Sequence, residues 1–235
     1  KMETFNGCLI NQSIINTSTI SITHQMAIQS STVNEGLITG ASLTVTGCHF
    51  NLSQITMSHG TLHMQNTFML HDAPHAVRLS CGSISCSQIS GKGSGIGVFL
   101  TGYDDNNQMG FQMLNTKVTN NGTGLFLNQF TKIKIDSCSF YDNTYHVNND
   151  FSVDVSITNS WWQTTDSSQL ALKNLDYYDD INFGKIKTTG NLSGIHLSAL
   201  CPDTVAVTPF TVTAFERISP VVAVSLHPNP ASTAI

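Results

Sequence analysis

Charged residues are scarce in this sequence: Lys, Arg, Asp and Glu make up 11% of its 235 residues, against about 25% in an average soluble protein. The 10 basic and 15 acidic residues give a formal net charge of −5. Proteins that bind nucleic acid carry a concentrated basic surface, so this composition argues against nucleic acid as a partner. No stretch approaches the roughly 18 consecutive apolar residues of a membrane-spanning helix, so no membrane insertion is predicted.

Helical periodicity is almost absent too, because Ser, Thr, Asn and Gly are spread through every segment and favour turns and strands. What recurs is a short pattern of two alternating apolar residues, a turn residue, a small residue and an aromatic. It occurs at 43–50, 62–68, 133–140 and 155–162. A repeat of about 19 to 30 residues, typical of stacked-repeat proteins, follows when the turn positions are taken as Gly47, Asn66, Ser85, Asn115, Ser137 and Asn159.

Apolar residues alternate with period two within the repeats, as at Ile133 and Ile135 or at Leu43 and Val45. This period indicates strands with one buried face. A leucine-rich repeat would need a Leu-rich frame and a helical segment in each unit, and neither is visible. The sequence therefore predicts an all-β, single-stranded right-handed parallel β-helix with coils of about 19–23 residues, followed by a less regular C-terminal β or extended tail.

The repeat also predicts which side chains point inward. Asn and Gly tolerate the left-handed backbone of a tight bend, and we expect the turn residues to stack as a ladder with each amide bonding to the next. The small residue after each bend should face inward: Cys48, Thr67, Cys86, Thr116, Cys138 and Ser160. We then expect a continuous internal stack of larger side chains, with Trp161 left facing outward: Phe50, Phe68, Val118, Phe140 and Trp162.

Six cysteines, at positions 8, 48, 81, 86, 138 and 201, are few for a disulfide-based fold of this length. We expect small buried thiols at Cys48, Cys86 and Cys138. Cys81 and Cys86 are close in sequence, but their opposite strand phases make a bridge between them awkward. No Cys-x-x-Cys motif is present, so no structural zinc site is expected.

Two histidine pairs, His59/His63 and His71/His75, have an i, i+4 spacing. On a strand, four residues span about 13 Å, too far for one metal ion, and a polar turn is the favoured interpretation of the second pair. The Gly-rich segment 91–97 matches neither the P-loop nor the dinucleotide-binding spacing, so it is interpreted as a loop. No metal site and no cofactor are predicted.

The pattern divides the chain into three regions. Coils of the β-helix are expected over 1–165, with an insertion at about 91–110, and the last coils or a crossover over 166–200. Pro-interrupted runs of Val and Thr follow, so 201–235 is predicted to be an extended tail that caps the coil or mediates oligomerisation. A coil without a cap at its start exposes an open end, and we expect this sequence to be part of a larger polypeptide.

The insertion is the main candidate for a functional site, because extra residues must project from the wall of a β-helix and loops on a rigid scaffold concentrate binding residues. Asp104 and Asp105 are the candidate catalytic residues, since glycoside hydrolysis uses two carboxyl groups. Carbohydrate binding is predicted for their neighbours, although a hydrated loop without chemistry is the competing interpretation: Tyr103, Asn106, Asn107 and Gln108.

A second turn-rich stretch contributes three more candidate carbohydrate-binding residues, Asp142, Tyr145 and Trp161, because aromatic rings stack on sugars. Asp154 is interpreted differently. It has the outward phase of its strand, and Lys132 has the same phase one repeat earlier, so the two are expected to form an exposed ion pair.

The coils carrying Asn66-Thr-Phe68, Asp136-Ser-Cys-Ser-Phe140 and Thr158-Asn-Ser-Trp-Trp162 resemble right-handed parallel β-helices of the pectate-lyase-like superfamily, especially the trimeric tailspike and tail-fibre proteins of bacteriophages. The resemblance covers about residues 1–165 and concerns the scaffold. It implies an extracellular homotrimer on the virion tail surface, next to other virion tail proteins, that binds bacterial surface polysaccharide and often cleaves it with Asp/Glu pairs. No residue of this chain matches a catalytic signature closely.

Two functions are therefore open. The first is a tailspike or tail-fibre protein that recognises bacterial surface polysaccharide and, as an enzyme, depolymerises it by hydrolysis or elimination. The second is a non-catalytic structural or adhesin β-solenoid, from a virion or from a secreted or cell-surface bacterial protein. Release of reducing ends or unsaturated products, abolished by Asp104→Asn or Asp105→Asn, would favour the first.

Overall fold

Successive turns of the chain lie on one another with their strands parallel, and the computed structural model is a β-solenoid of about seven turns. Strands account for 56% of the residues and helix for 3%. The structure describes residues 2–5, 8–16, 19–102, 110–130, 132–195 and 201. The predicted all-β parallel β-helix is confirmed, whereas the predicted tail, apart from Cys201, lies outside the described residues.

Most strands are short, because they end where the chain bends onto another face of the solenoid; β10 and β12 are the long exceptions. The first three turns contain β1 (Met2–Phe5), β2 (Cys8–Asn11), β3 (Ile14–Asn16), β4 (Thr19–Ile22), β5 (Met26–Gln29), β6 (Thr32–Asn34), β7 (Leu37–Gly40), β8 (Ser42–Thr46) and β9 (His49–Asn51). The next three contain β10 (Gln54–Gln65), β11 (Phe68–Leu70), β12 (His75–Ser85), β13 (Gln88–Ser90), β14 (Ile96–Thr101), β15 (Phe111–Leu114) and β16 (Lys117–Thr119). The remainder contains β17 (Thr123–Gln129), β18 (Ile133–Asp136), β19 (Ser139–Tyr141), β20 (Tyr145–Asn149), β21 (Val155–Thr158), α1 (Ser167–Ala171), β22 (Asn174–Leu175) and β23 (Ile186–Thr189).

The strands form three faces. The first face consists of β1, β4, β7, the N-terminal parts of β10 and β12, β14, β17, β20 and β22. The second face consists of β2, β5, β8, the C-terminal parts of β10 and β12, β15, β18, β21 and β23. Because β10 and β12 run unbroken from one face to the other, these two faces are one 16-stranded sheet, while β3, β6, β9, β11, β13, β16 and β19 form a separate 7-stranded third face.

The length of a turn changes along the solenoid. On the second face, Met26 pairs with Leu43 in an early turn and Ile135 pairs with Ile157 in a later, somewhat longer one. Two turns are longer still. One closes where Gly82 pairs with Phe111, and its sequence contains the predicted insertion at about 91–110. The other closes where Ile157 pairs with Thr188, and it accommodates α1 and β22.

Inward side chains form one continuous column behind each face, and every member is at most 3% exposed. The column behind the first face is Ile20, Ile38, Ile55, Val77, Val98, Leu125 and Val147. The column behind the second face is Ile28, Val45, Met64, Ile84, Met113, Ile135 and Ile157. Burial of such side chains stabilises the fold by about 1.5 to 3 kcal/mol each, so these columns hold the turns together.

The third column tests the predicted aromatic stack. Its members are Val33, Phe50, Met69, Ile89, Val118, Phe140 and then Trp162, whose ring stacks on Phe140 at 4.9 Å. Phe68 was wrongly included in the prediction: it faces outward and stacks on His49 at 5.0 Å, while Met69 takes the inward place. Trp161 lies partly exposed on the outside, as predicted.

The bends between the second and third faces follow one backbone rule. A residue with positive φ stands in each of them: Gln12, Ser30, Gly47, Asn66, Cys86, Asn115, Ser137, Asn159 and Gly190. The prediction placed one bend at Ser85, but the left-handed residue is Cys86. The expected amide ladder does not run through these bends in the described residues. A short one occurs at the next corner instead, where Asn34 donates to Asn16 (2.7 Å) and Asn51 donates to Asn34 (2.8 Å).

The small residue after each of the first eight bends forms a hydrogen bond that recurs from turn to turn. Its hydroxyl or thiol donates to the backbone carbonyl two residues earlier, as from Ser31 to Gln29 (2.6 Å) and from Ser160 to Thr158 (2.8 Å). The donors are Ser13, Ser31, Cys48, Thr67, Ser87, Thr116, Cys138 and Ser160. The cysteines in this series replace hydroxyl groups as donors, which explains why they are buried.

The cysteine expectations are partly correct. Cys48 and Cys138 are buried thiols, and burial raises the pKa of Cys138 to about 12. Cys86, in contrast, is disulfide-bonded to Cys201. Because Cys86 is the bend residue itself, its side chain does not occupy the inward position that Ser87 takes.

The long turn after Trp162 is ordered by local polar contacts. Asp166 caps α1 by accepting from the backbone N–H of Ser168. Asp176, which is 7% exposed, accepts from the N–H groups of Tyr178 and Ile186. No helix in the described part of the chain is long and apolar enough to cross a bilayer.

Candidate functional site

The predicted site residues of the insertion, Tyr103, Asp104, Asp105, Asn106, Asn107 and Gln108, lie outside the described residues. Their catalytic and sugar-binding roles stay predictions. The structure does place the two ends of the segment. Gly102, after β14, donates its N–H to Gln129 O (2.6 Å), and the N–H of Phe111 donates to Lys132 O (2.9 Å). The described residues on both sides of 103–109 are therefore bonded to the following turn, one at the end of the first face and the other at the start of the second.

The Gly-rich segment 91–97, which was predicted to begin the insertion, is part of the solenoid itself. Gly91 donates to Thr119 O (3.1 Å) and Gly93 donates to Asn120 O (2.7 Å), so the segment forms the corner between the third and first faces. A Cβ atom on Gly91 would lie 2.6 Å from Asn120 O. Glycine is needed here because the neighbouring turn passes so close.

A buried network of polar side chains lies at this corner and includes His71, one member of the second histidine pair. Nε2 of His71 lies 2.7 Å from Asn121 Oδ1, and Asn121 Nδ2 donates to Asn143 Oδ1 (2.9 Å). His71 and Asn121 are 0% and 1% exposed. The His71–Asn121 contact connects non-adjacent turns across Gly91, and the Asn121–Asn143 bond extends the network to the next turn. No group of three or more metal-ligating side chains occurs among the residues that the structure describes.

Asp142 and Trp161 lie close to one corner, where the third face ends. Asp142 has a left-handed backbone and is held by Gln163, which accepts from its N–H (2.8 Å) and donates to its Oδ1 (3.0 Å). The Trp161 ring lies 5.6 Å from that of Tyr141. The arrangement presents a carboxylate beside two partly exposed aromatic rings.

Tyr145 is separated from that corner, since it lies on the first face in register with Thr123. The structure therefore does not gather the three described candidates into one cluster. Tyr145 instead shares its face with a set of residues that the sequence did not single out.

This set is the aromatic strip, which we define as Arg78, Phe99 and Phe126. The three residues are in register on β12, β14 and β17, and all are partly exposed on the outside of the first face. The Phe126 ring meets Phe99 edge-on at 5.0 Å, and the Arg78 guanidinium lies 5.2 Å from the centre of the Phe99 ring. Three consecutive turns thus present one apolar surface with a single cation at its edge.

His75 borders the aromatic strip. Its Nε2 contacts the Gln54 side chain and lies 3.2 Å from Thr56 Oγ1, and its ring is 6.2 Å from Phe99. Burial lowers the pKa of His75 below its ordinary value, and the charges of Arg78 and His71 lower it further. His75 is therefore neutral at neutral pH, which leaves Arg78 as the charge of the strip.

The described carboxylates with a perturbed pKa are unsuited to general-acid catalysis. Burial opposes the change at Asp136, but hydrogen bonds from Thr158 Oγ1 (2.7 Å) and Asn159 Nδ2 (2.9 Å) bring its pKa below the ordinary value. The pKa of Asp154 is lowered by Lys187, which forms the ion pair at 2.7 Å that was wrongly predicted for Lys132. A glycosidase acid needs the opposite change, a raised pKa.

The aromatic strip escaped sequence reasoning because it depends on register. Phe99 and Phe126 have the outward phase between inward aliphatic residues of their strands, and this much can be read from the sequence. The turn from Arg78 to Phe99 and the turn from Phe99 to Phe126 differ in length, however, so no fixed repeat aligns the three residues.

The chain matches no protein-family model, no curated protein and no solved structure. The likeness to a parallel β-solenoid therefore comes from the geometry of this chain alone.

Proposed function

We propose that this solenoid is a receptor-binding protein of the tailspike or tail-fibre type, and that it recognises bacterial surface polysaccharide on the outside of its first face. The observation that supports this most directly is the aromatic strip. Sugar rings have an apolar face that packs on aromatic side chains, and the polar edge of the ring needs hydrogen-bonding groups nearby. Tyr145 and Asn148 continue the surface on β20.

Three further features support the proposal. Successive turns of the solenoid repeat outward positions in register, as a chain of repeating sugar units requires. In the sequence, Asp104 and Asp105 follow shortly after β14, the strand of Phe99. The Cys86–Cys201 disulfide is of the kind that persists outside the reducing cytosol, which agrees with an extracellular location on a virion tail.

Catalysis belongs to the proposal as a separate step. Depolymerisation would use Asp104 and Asp105 as the acid and the base or nucleophile. The described carboxylates with a perturbed pKa are not alternatives for the acid, because their pKa values are lowered. A homotrimer attached to other virion tail proteins is the assembly that the resemblance implies. The alternative, a structural or adhesin solenoid without glycan recognition, has no contact in the described residues that favours it over the first.

Binding to an array of bacterial capsule and O-antigen polysaccharides tests the proposal. Phe126→Ala should weaken the signal for the recognised polysaccharide by about tenfold, the value of one aromatic contact of about 1.4 kcal/mol. Phe68→Ala is the matched control, because Phe68 is also a partly exposed phenylalanine, on the third face. Equal losses in both variants, or no binding to any polysaccharide, would overturn the proposal and favour the structural alternative.

A further inference from the structure

The single cation of the aromatic strip has no counter-ion among the residues that the structure describes. The described strands of the first face from β4 to β22 carry no Asp or Glu and, besides Arg78, no Lys or Arg. The described ion pairs lie elsewhere, between Lys92 and Asp72 and between Lys187 and Asp154. Arg78 therefore stands in a neutral surface.

The Arg78 side chain is also incompletely bonded. Its Nε atom is buried and has no hydrogen-bond partner among the described residues. A buried donor of a charged group that lacks an acceptor is costly. Because Nε is closed to solvent, a ligand on the outside of the face meets the terminal part of the guanidinium, which has no anionic partner among the described residues. A negatively charged oxygen there would supply the missing counter-charge.

The surroundings of Arg78 indicate what carries that oxygen. The guanidinium lies over the Phe99 ring, which restricts the side chain and keeps its planar set of donors ordered. Such a set of donors matches the two oxygens of a carboxylate. In a uronic acid the carboxylate is bonded directly to the pyranose ring, so the charge and an apolar sugar face are adjacent, as the guanidinium and the phenylalanine rings are here.

We infer that the aromatic strip binds an acidic sugar unit, with its carboxylate on Arg78 and its pyranose ring against Phe99 and Phe126. This inference rests on the proposed function and specifies the class of polysaccharide. A neutral glycan would leave the Arg78 guanidinium without a counter-ion. A phosphodiester, which lies between sugar rings, does not place its charge next to a ring face in the same way.

The test uses the same polysaccharide array, with each acidic polysaccharide printed in its native form and after chemical reduction of its carboxyl groups to alcohols. Wild-type protein should bind uronate-containing polysaccharides, and reduction of the carboxyl groups should weaken binding at least tenfold. Arg78→Gln should weaken binding to the native form by a similar factor and should have little further effect on the reduced form. That non-additivity distinguishes a direct contact from a general loss of fold.

Two further variants sharpen the result. Arg78→Lys keeps the charge but loses the planar set of donors, so its binding should fall between those of the wild type and Arg78→Gln. Lys134→Gln is the matched control, because it removes one exposed positive charge from β18 on the second face, and it should bind as the wild type does.

The outcomes separate this inference from the proposed function. Binding of neutral polysaccharides that is lost in Phe126→Ala but kept in Arg78→Gln would overturn the acidic-sugar inference and retain the proposed function. Additive effects of Arg78→Gln and carboxyl reduction, or binding that depends on phosphate instead, would also overturn the inference. If the protein bound no polysaccharide at all, both the proposed function and the acidic-sugar inference would be overturned.

Discussion

His146 is enclosed in the solenoid without a hydrogen-bond partner for its ring among the described residues. It is 1% exposed, its ring lies 6.2 Å from that of Trp162, and neither ring nitrogen makes a hydrogen bond of good geometry there, although a backbone contact with Trp162 slightly favours the charged form. Burial, followed by the nearby charge of Lys173, lowers the pKa of His146 to about 4. The folded protein therefore keeps this imidazole neutral at pH values where an exposed histidine takes up a proton.

We expect the stability of the protein to fall as the pH is lowered from about 6.5 to about 4. The His146 pKa is lower in the folded than in the unfolded chain, so above pH 6.5 the group is neutral in both states and its contribution is fully present. Between the two values only the unfolded chain is protonated, and the loss reaches about 3 kcal/mol at about pH 4. Urea unfolding at a series of pH values measures this loss of unfolding free energy.

The control for that measurement is a second histidine. His146→Leu should flatten the pH dependence, whereas the same change at the exposed His63 should not. Part of the slope will persist in His146→Leu, because burial also lowers the pKa values of His49 and His75. An unchanged slope in His146→Leu would show that this residue is not the source.

At the scale of the structural elements, the bends share a backbone conformation and a side-chain hydrogen bond that the strands lack. The first eight bends pair a left-handed residue with a small residue whose hydroxyl or thiol donates to the carbonyl two residues earlier. Some of these hydroxyls also accept from the preceding turn. Ser160 Oγ, for example, donates to Thr158 O (2.8 Å) and accepts from the N–H of Cys138 (3.1 Å). One buried hydroxyl thus satisfies groups in two turns.

Ser160→Ala should destabilise the protein by about 1 to 3 kcal/mol, because the buried N–H of Cys138 loses its acceptor. The carbonyl of Thr158 loses one of two donors and keeps the N–H of Ser137. Ser156→Ala is the matched control, since Ser156 is exposed on the outside of β21, and it should change stability by less than about 0.5 kcal/mol. Ser160→Cys should restore part of the loss, as cysteine performs this role in two other turns. Thermal unfolding followed by circular dichroism compares the three; equal midpoints for Ser160→Ala and Ser156→Ala would exclude the role assigned to the hydroxyl.

The elements also show how far the sequence alone could lead. Period-two alternation predicts strands wherever only one face is buried, and this was sufficient for the parallel β-helix. The error at Phe68 arose from following aromatic character rather than phase: Cys48 is followed two positions later by inward Phe50, and the same step from Thr67 leads to Met69. Ser85, Cys86 and Ser87 are three small residues in succession, and any of them could be the bend residue. Only the register with the next turn decides between them.

The site was harder to predict than the scaffold for a physical reason. Outward residues are joined only by the stacking of turns, and the turns of this chain differ in length because loops are inserted at its corners. Asp142 and Trp161 could be associated from the sequence, because they are about one repeat apart. Arg78, Phe99 and Phe126 come together only when the lengths of two unequal turns are known.

At the scale of the whole molecule, the disulfide counteracts the modular character of a solenoid. Turns of a repeat protein contact only their neighbours, so the terminal ones unfold most easily. The bends at Cys86 and Gly190 are separated by four turn spacings, or about 19 Å at the usual strand separation. The bond from Cys86 to Cys201 therefore fastens the end of the solenoid to its middle, across a sequence separation of 115.

Removal of this bond should destabilise the last turns selectively. In the chain-entropy model, closing a loop of this length stabilises a protein by up to about 5 kcal/mol, and in a solenoid we expect the loss to concentrate between the two attachment points. Hydrogen exchange measured by mass spectrometry should show faster exchange for β21 and β23 in Cys201→Ser, with β4 to β9 unchanged. Cys86→Ser should give the same pattern, and the double variant no more than either single one, because both remove the same bond. Cys8→Ser, which changes a partly buried thiol in the first turn, is the control; equal acceleration in every turn would contradict a local effect of the disulfide.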